Sequence, residues 1–404
     1  MNFFINVLEA YIVIVGIIML IYSTRHFIFI LNRSIGEQRL YYQDIVDSDL
    51  PLVSVVVHFH DDDIIANRFL EAIVKSDYPV EKLEIIAVFN EAEYKTLKIV
   101  ERFTFLYPHI IPYKFSNVNQ VHSAIETEIL QFAKGQVIVA FEQDYISPKV
   151  LIRNIAISFK DPEVGAVLGR LIPVNASSNL LTRLIDLEQA GSYQIDQQAR
   201  YNLKLIPQFS RAIIGFRKDV ALELSDSISG VVDLTINLYT CGWKILYGNR
   251  VECYEVAPEN WDIRAQQIMY WAHKNCQAFF HNSIPIIKSN YISYNEKFDG
   301  ILLLAKYFVP LLVEIGFVAF LILFFLGKIS LLSTVLVFVI LAFYTALGSA
   351  TPIYQIGIGS LLDGGNARIK LLALQMFNSV YNIFYISKGA LLAISEIVFR
   401  RKVK

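Results

Sequence analysis

Glu142 and Asp144 stand one residue apart, directly after the apolar run 136–141, so two carboxylates sit where a buried strand would end. In open α/β sheets ligands bind beyond the carboxyl ends of the strands, and paired acids there can hold a divalent cation against a diphosphate. That chemistry is metal-assisted transfer from a nucleotide-activated donor. A plain polar turn gives the same triplet, with Ser147 and Pro148 at the N-cap and first position of the next helix. An earlier apolar run, 52–57, ends in His58-Phe59-His60-Asp61-Asp62. Side chains two apart on a strand point the same way, so His58 and His60 with the acids 61–63 read either as a transition-metal set or as the rim of a nucleotide pocket.

The elements that must position these groups follow from periodicity. Short β-rich runs at 52–57, 84–89 and 136–141 alternate with helical patterns such as 64–76 and 118–134. Strands alternating with helices imply a parallel sheet covered on both faces. With a net charge of -1, the chain gives no reason to expect nucleic acid as a partner. Cys241, Cys253 and Cys276 lack metal-ligand spacing and read as reduced thiols in a reducing compartment.

A composition of 54% hydrophobic and 18% charged residues is too apolar for an ordinary soluble protein and points to the membrane. Residues 3–31 are long enough to cross a bilayer core of about 30 Å and lack a cleavage site, so they read as a retained anchor. Arg25, His26, Arg33 and Arg39 at or beyond its end place the following domain in the cytoplasm. Further spans are expected at 301–326 and 330–350, and a third apolar stretch, 369–399, runs into Arg400, Arg401, Lys402 and Lys404. Four crossings would leave this basic tail outside. Either 351–365 re-enters the membrane, or the last helix, polar at Asn378, Asn382, Ser387 and Lys388, bends or lies at the interface. Lys306 and Glu314 are expected to face protein or a wet path rather than lipid.

Later landmarks complete the pattern: Ser76-Asp-Tyr-Pro79, Gly165-Ala-Val-Leu-Gly-Arg170, Phe216-Arg217, Asp233-Leu-Thr-Ile-Asn-Leu238 with Cys241-Gly-Trp-Lys244, Glu255-Val-Ala-Pro258, and Gln267-Ile-Met-Tyr270-Trp271. Their order and spacing resemble the membrane-bound family 2 glycosyltransferases, in particular the ceramide glucosyltransferase and polysaccharide synthase branches. The resemblance covers most of the chain, from Pro51 to Phe280 at least. It implies a GT-A α/β domain, an inverting single displacement and a nucleotide-sugar donor. By position it assigns His58, Asp62, Asn90 and Glu142 to the nucleotide, Glu142 and Asp144 to Mg²⁺ or Mn²⁺, and Gln267, Tyr270 and Trp271 to the acceptor.

Departures from the family pattern fall on functional positions. Phe89-Asn90-Glu91 stands where the family carries an aspartate pair, and Glu142-Gln143-Asp144 replaces Asp-x-Asp. Ser229-Gly230-Val231 aligns with Thr-Glu-Asp, so a valine occupies the place of the general base. Asp233 is the nearest substitute, on an extended loop; otherwise it caps the helix that follows. Tyr270 replaces the arginine of Gln-x-x-Arg-Trp, with Lys274 one turn further on as either a replacement cation or a solvated lysine.

The expected organisation is an N-terminal anchor (1–32), a linker (33–50), the GT-A domain (51–255), interfacial helices (256–300) and a C-terminal bundle (301–404). The expected function is sugar transfer to a lipid or glycan acceptor by a multi-pass protein among membrane lipids. The alternatives are a catalytically degenerate scaffold for an active protein partner and, with little support from so few spans, a transporter with a cytosolic regulatory domain.

Overall fold

The computed structural model describes residues 2–38, 50–59, 62–90, 94–115, 127–208, 213–224, 231–328 and 351–399. Its centre is an eight-stranded sheet in the order β3-β2-β1-β4-β7-β6-β8-β5. The strands are β1 (Val53–His58), β2 (Leu83–Asn90), β3 (Ile110–Phe115), β4 (Val137–Glu142), β5 (Tyr145–Ile146), β6 (Val164–Pro173), β7 (Ile214–Arg217) and β8 (Lys244–Glu255). β1 is Val-Ser-Val-Val-Val-His, buried along five of its six residues. Such a run suits a central strand covered on both faces.

The expectation of a parallel sheet holds for only part of it. β1, β2, β3 and β4 are parallel, and so are β6 and β8. β7 runs antiparallel to both β4 and β6, and β5 runs antiparallel to β8. The sheet is therefore mixed.

Around the sheet pack α2 (Asp63–Ile73), α3 (Tyr94–Leu106), α4 (Thr127–Phe132), α5 (Leu151–Ile157), α6 (Leu180–Gly191), α7 (Gln198–Asn202), α8 (Lys218–Leu224) and α9 (Val231–Thr240). A π-helical segment, Ser192–Gln197, joins α6 to α7 without a break. Two long outer helices, α10 (Trp261–Lys288) and α14 (Leu372–Phe399), are separated in sequence by α11 (Tyr294–Ala305), α12 (Val309–Phe325) and α13 (Thr351–Leu362).

Among the described residues two helical stretches are long and apolar enough to cross a membrane, Phe3–Ile35 within α1 (Asn2–Ile35) and Tyr294–Phe325 along α11 and α12. They pack antiparallel. Tyr11 Oη donates to the Leu312 carbonyl at 2.9 Å, Tyr22 Oη to that of Leu302 at 2.6 Å, and Arg25 Nε to Asp299 Oδ1 at 2.6 Å. Asp299 Oδ2 also accepts from Arg200 Nη1 at 2.6 Å, and Arg200 Nε pairs with Asp196 at 3.0 Å. This buried network ties the first apolar helix to the π-helical segment and α7.

The expected span 330–350 lies outside the described residues. α13 is twelve residues long, about 18 Å and too short to cross a bilayer. It packs on α6, where a Cβ at Gly359 would lie 2.6 Å from the Ala190 carbonyl. α14 lies beside α10 in the same direction: Tyr381 Oη donates to the Trp261 carbonyl at 2.7 Å, and Gln277 Nε2 to Glu396 Oε2 at 2.7 Å.

Candidate active site

The strand order reverses between β1 and β4, which makes the crevice beyond their carboxyl ends the expected ligand site of an open α/β sheet. His58 ends β1 directly beside Glu142, the last residue of β4, and Asn90 ends the neighbouring β2. Three of the four residues expected to hold the nucleotide thus share one edge. The fourth, Asp62, caps α2 at the end of the connection that leaves β1 and accepts from the Ile65 N–H at 3.0 Å, which fixes the helix N-terminus. His60 and Asp61 lie outside the described residues, as does Glu91.

Glu142 is wetted and yet walled by protein. Desolvation raises its pKa above the ordinary carboxylate range, and the negative charge of Asp144 raises it further. Two acids that disfavour each other's ionisation favour a cation between them. No group of three or more metal-ligating side chains occurs among the described residues. Two carboxylates nonetheless fit a hard divalent ion whose remaining oxygens come from a diphosphate and water.

Behind Asp144 the strands β5 and β8 form a support. Tyr145 pairs with Glu255, Cys253 Sγ lies 3.6 Å from the Ile146 carbonyl, and Gln189 of α6 donates to the buried Glu255 carboxylate. Burial, then the charges of Glu255 and Asp144, push the Cys253 thiol well up, so it serves as packing rather than as a nucleophile.

α10 carries the three expected acceptor residues, and of these Tyr270 is the one that feels the acid pair. Burial and then the Glu142 charge raise the Tyr270 hydroxyl, which puts this ring within electrostatic reach of the acid pair. Tyr270 packs edge-on against Trp271 with centroids 5.6 Å apart, and Lys274 Nζ stands 5.9 Å from the Tyr270 ring centroid. Gln267 Oε1 is buried without a hydrogen-bond partner among the described residues.

Asp233 requires a correction. α9 begins at Val231, so Asp233 lies inside the first helical turn, neither on an extended loop nor at an N-cap. It is buried, and its Oδ1 accepts from Asn282 Nδ2 at 2.7 Å. Asn282 follows Tyr270 by twelve residues on α10, about 18 Å along the axis, so Asp233 does not join Glu142 and Tyr270.

Sequence reasoning missed a second carboxylate centre. Glu188 of α6 pairs with Arg264 at 2.5 Å and accepts from Gln375 at 3.0 Å, Asn378 at 2.6 Å and Asn382 at 2.5 Å. It binds α14 to the helix that carries Gln267 and Tyr270. The signal was the pair of asparagines four apart in an apolar helix, which lie on one face.

Residues 54–224 match the family model described as glycosyl transferase family 2. The chain is 26% identical over 234 residues to the probable glycosyltransferase YdaM of Bacillus subtilis (strain 168), covering 56% of each. It is 23% identical over 204 residues to beta-monoglucosyldiacylglycerol synthase of Synechocystis sp., covering 48% of this chain and 42% of that protein. The chain therefore spans about half the length of the curated relatives it matches. Its fold is that of a mannosyltransferase, PcManGT from Pyrobaculum calidifontis, solved with GDP-Man and Mn2+: TM-score 0.54 at 18% identity, over 95% of this chain and 99% of that one. Residues 54–224 thus form a domain that matches glycosyl transferase family 2 and has the GT-A fold.

Proposed function

We propose that the protein transfers a sugar from a nucleotide-sugar donor to a lipid or glycan acceptor at the cytoplasmic membrane face, inverting the anomeric centre. The observation that carries this reading is the meeting of the Glu142 and Asp144 acid pair, at the reversal point of the sheet, with Tyr270 of α10. Glu142 and Asp144 would hold Mg²⁺ or Mn²⁺, which when bound neutralises charge on the departing diphosphate. His58 and Asn90 would border the nucleotide. Tyr270 and Trp271 give the acceptor an aromatic wall, and the orphaned Gln267 carbonyl oxygen suits a hydroxyl donor. The two apolar helices beside the domain support a membrane-held acceptor.

The test is calorimetry of the full chain in detergent with UDP, GDP and Mn²⁺, followed by release of free nucleotide from the corresponding sugar nucleotides. Binding that requires Mn²⁺ and is lost in Asp144→Asn is expected. Unchanged metal-dependent binding in that variant would remove the acid pair from the account.

A second reading, a catalytically degenerate member serving an active partner, draws support from one observation. Val231 stands at the family's base position while Asp233 is sealed against Asn282. Under this reading the nucleotide binds and is not turned over.

A further inference from the structure

At the end of the sheet remote from the crevice, a half-open pocket of about 320 Å³ lies between the end of α7, the end of α9, the start of β8 and the α10–α11 junction. Along β8, Tyr247 at the pocket and Glu255 behind the acid pair face Leu168 and Pro173 of β6, a separation of roughly 17 Å at about 3.3 Å a residue. This cavity is therefore not a lobe of the donor crevice. Five aromatic residues line it: Tyr201, Tyr239, Trp243, Tyr247 and Tyr291. Its charged lining is Lys204, Lys244 and Glu296, and Lys244 Nζ is paired with Asp161 at 2.6 Å.

Two of the four described residues with positive φ lie on its walls. Lys204 is the one non-glycine residue with positive φ, 57°, among the described residues, and Gly242 has φ 90°. Lys204 follows the end of α7, where glycine would take the left-handed conformation without cost, so a lysine is kept there against its backbone preference. Its carbonyl accepts the Tyr239 hydroxyl at 2.8 Å, and Glu296 Oε1 lies 2.5 Å from the same hydroxyl, which fixes that ring in the wall. A Cβ at Gly242 would come within 2.8 Å of the Tyr291 ring, so glycine lets Tyr291 lie flat against the chain. Tyr291 is itself 73% exposed and offers its other side to a ligand.

From this arrangement we infer a second binding site, for a neutral oligosaccharide. Aromatic faces carry the negative side of the ring quadrupole and attract the weakly positive C–H face of a pyranose. The charges around the cavity balance: Lys244 is paired with Asp161, and Lys204 and Glu296 are of opposite sign, leaving no net charge to hold an anion. A cavity of this size lies at the small end of ligand sites and suits one or two sugar rings. The site goes beyond the donor crevice and does not require the chain to turn over a sugar nucleotide.

The chain has three tryptophans, Trp243, Trp261 and Trp271, of which Trp243 alone lines this pocket. The full chain in detergent, labelled with 5-fluorotryptophan, is titrated with maltotetraose, cellotetraose and chitotetraose, and its ¹⁹F resonances are assigned from Trp→Phe variants. A saturable shift of the Trp243 line with at least one tetraose is expected. Tyr291→Ala should weaken that affinity roughly tenfold while the Trp261 and Trp271 lines keep their folded positions. Three outcomes would overturn the inference: a motionless Trp243 line with all three sugars, a response confined to Trp271, or a Trp243 shift produced only by phosphatidylglycerol nanodiscs.

Discussion

Glu142 joins the residues of β4 to the chemistry proposed for them, and its ionisation sets a measurable signature. Because its pKa is raised, its contribution to stability is complete below the ordinary value of 4.5 and is lost as pH rises through the raised one. Glu142→Gln should therefore unfold at a higher temperature than the native chain at neutral pH, the gap closing towards about pH 4. Saturating Mn²⁺ should raise the Tm of the native chain and leave that of the variant nearly unmoved. A gap independent of pH, or equal stabilisation by Mn²⁺, would show that the acid pair does not act as a cation site. Asp144→Asn removes a direct ligand, so its loss of metal-dependent affinity should exceed the roughly 100-fold seen when only a supporting partner is removed. Asp233→Asn should leave nucleotide binding unchanged, because the side chain is engaged with Asn282 rather than with the crevice. Strand-end acids were legible because burial and polarity change abruptly between Phe141 and Glu142. The position of Asp233 was not, since it depends on which face of α10 presents Asn282.

At the scale of elements, the first apolar helix is held to the domain by charge as well as by packing. Arg25, Arg200, Asp196 and Asp299 have side chains no more than 9% exposed, and Asp299 touches both arginines. Breaking a buried pair from one side leaves an uncompensated charge, which costs about 3–5 kcal/mol. Asp299→Ala leaves Asp196 as the one carboxylate serving both buried guanidinium groups and should approach that range, seen as a large fall in Tm or loss of the folded protein. Asp77→Ala removes an ion pair whose carboxylate is 58% exposed and should cost under about 1 kcal/mol. Equal effects of the two substitutions would deny the network its role. The alternation of strands and helices announced β1, β2 and β4, because each is continuous and apolar. The four residues of β7 and two of β5 carry no such signal, so the mixed character of the sheet stayed hidden. The placement of α14 along α10 likewise rests on Glu188, Arg264 and Glu396, charges distant in sequence that pair only in the fold.

For the whole molecule, the orientation read from basic residues acquires a structural meaning. Arg25 pairs with Asp299, and Arg33 Nε donates to the Gln194 carbonyl at 2.9 Å, so charges that follow the positive-inside rule also dock the domain against the end of the first apolar helix. Under the proposed membrane-held topology, the domain and the basic end of that helix lie on one side of the bilayer. The chain supplies its own reporter of that side. Cys241 is exposed at the end of α9, while Cys253 and Cys276 are buried. Burial pushes the Cys276 thiol up to about 12 and the Cys253 thiol well above its usual value, which leaves both largely protonated and unreactive at neutral pH. A membrane-impermeant maleimide should therefore modify one site, lost in Cys241→Ser, in inside-out vesicles and in detergent. Sealed right-side-out vesicles should remain unlabelled until permeabilised. Labelling of Cys241 from the outer side of intact vesicles would place the domain opposite to the proposed face and would deprive it of cytoplasmic sugar nucleotides.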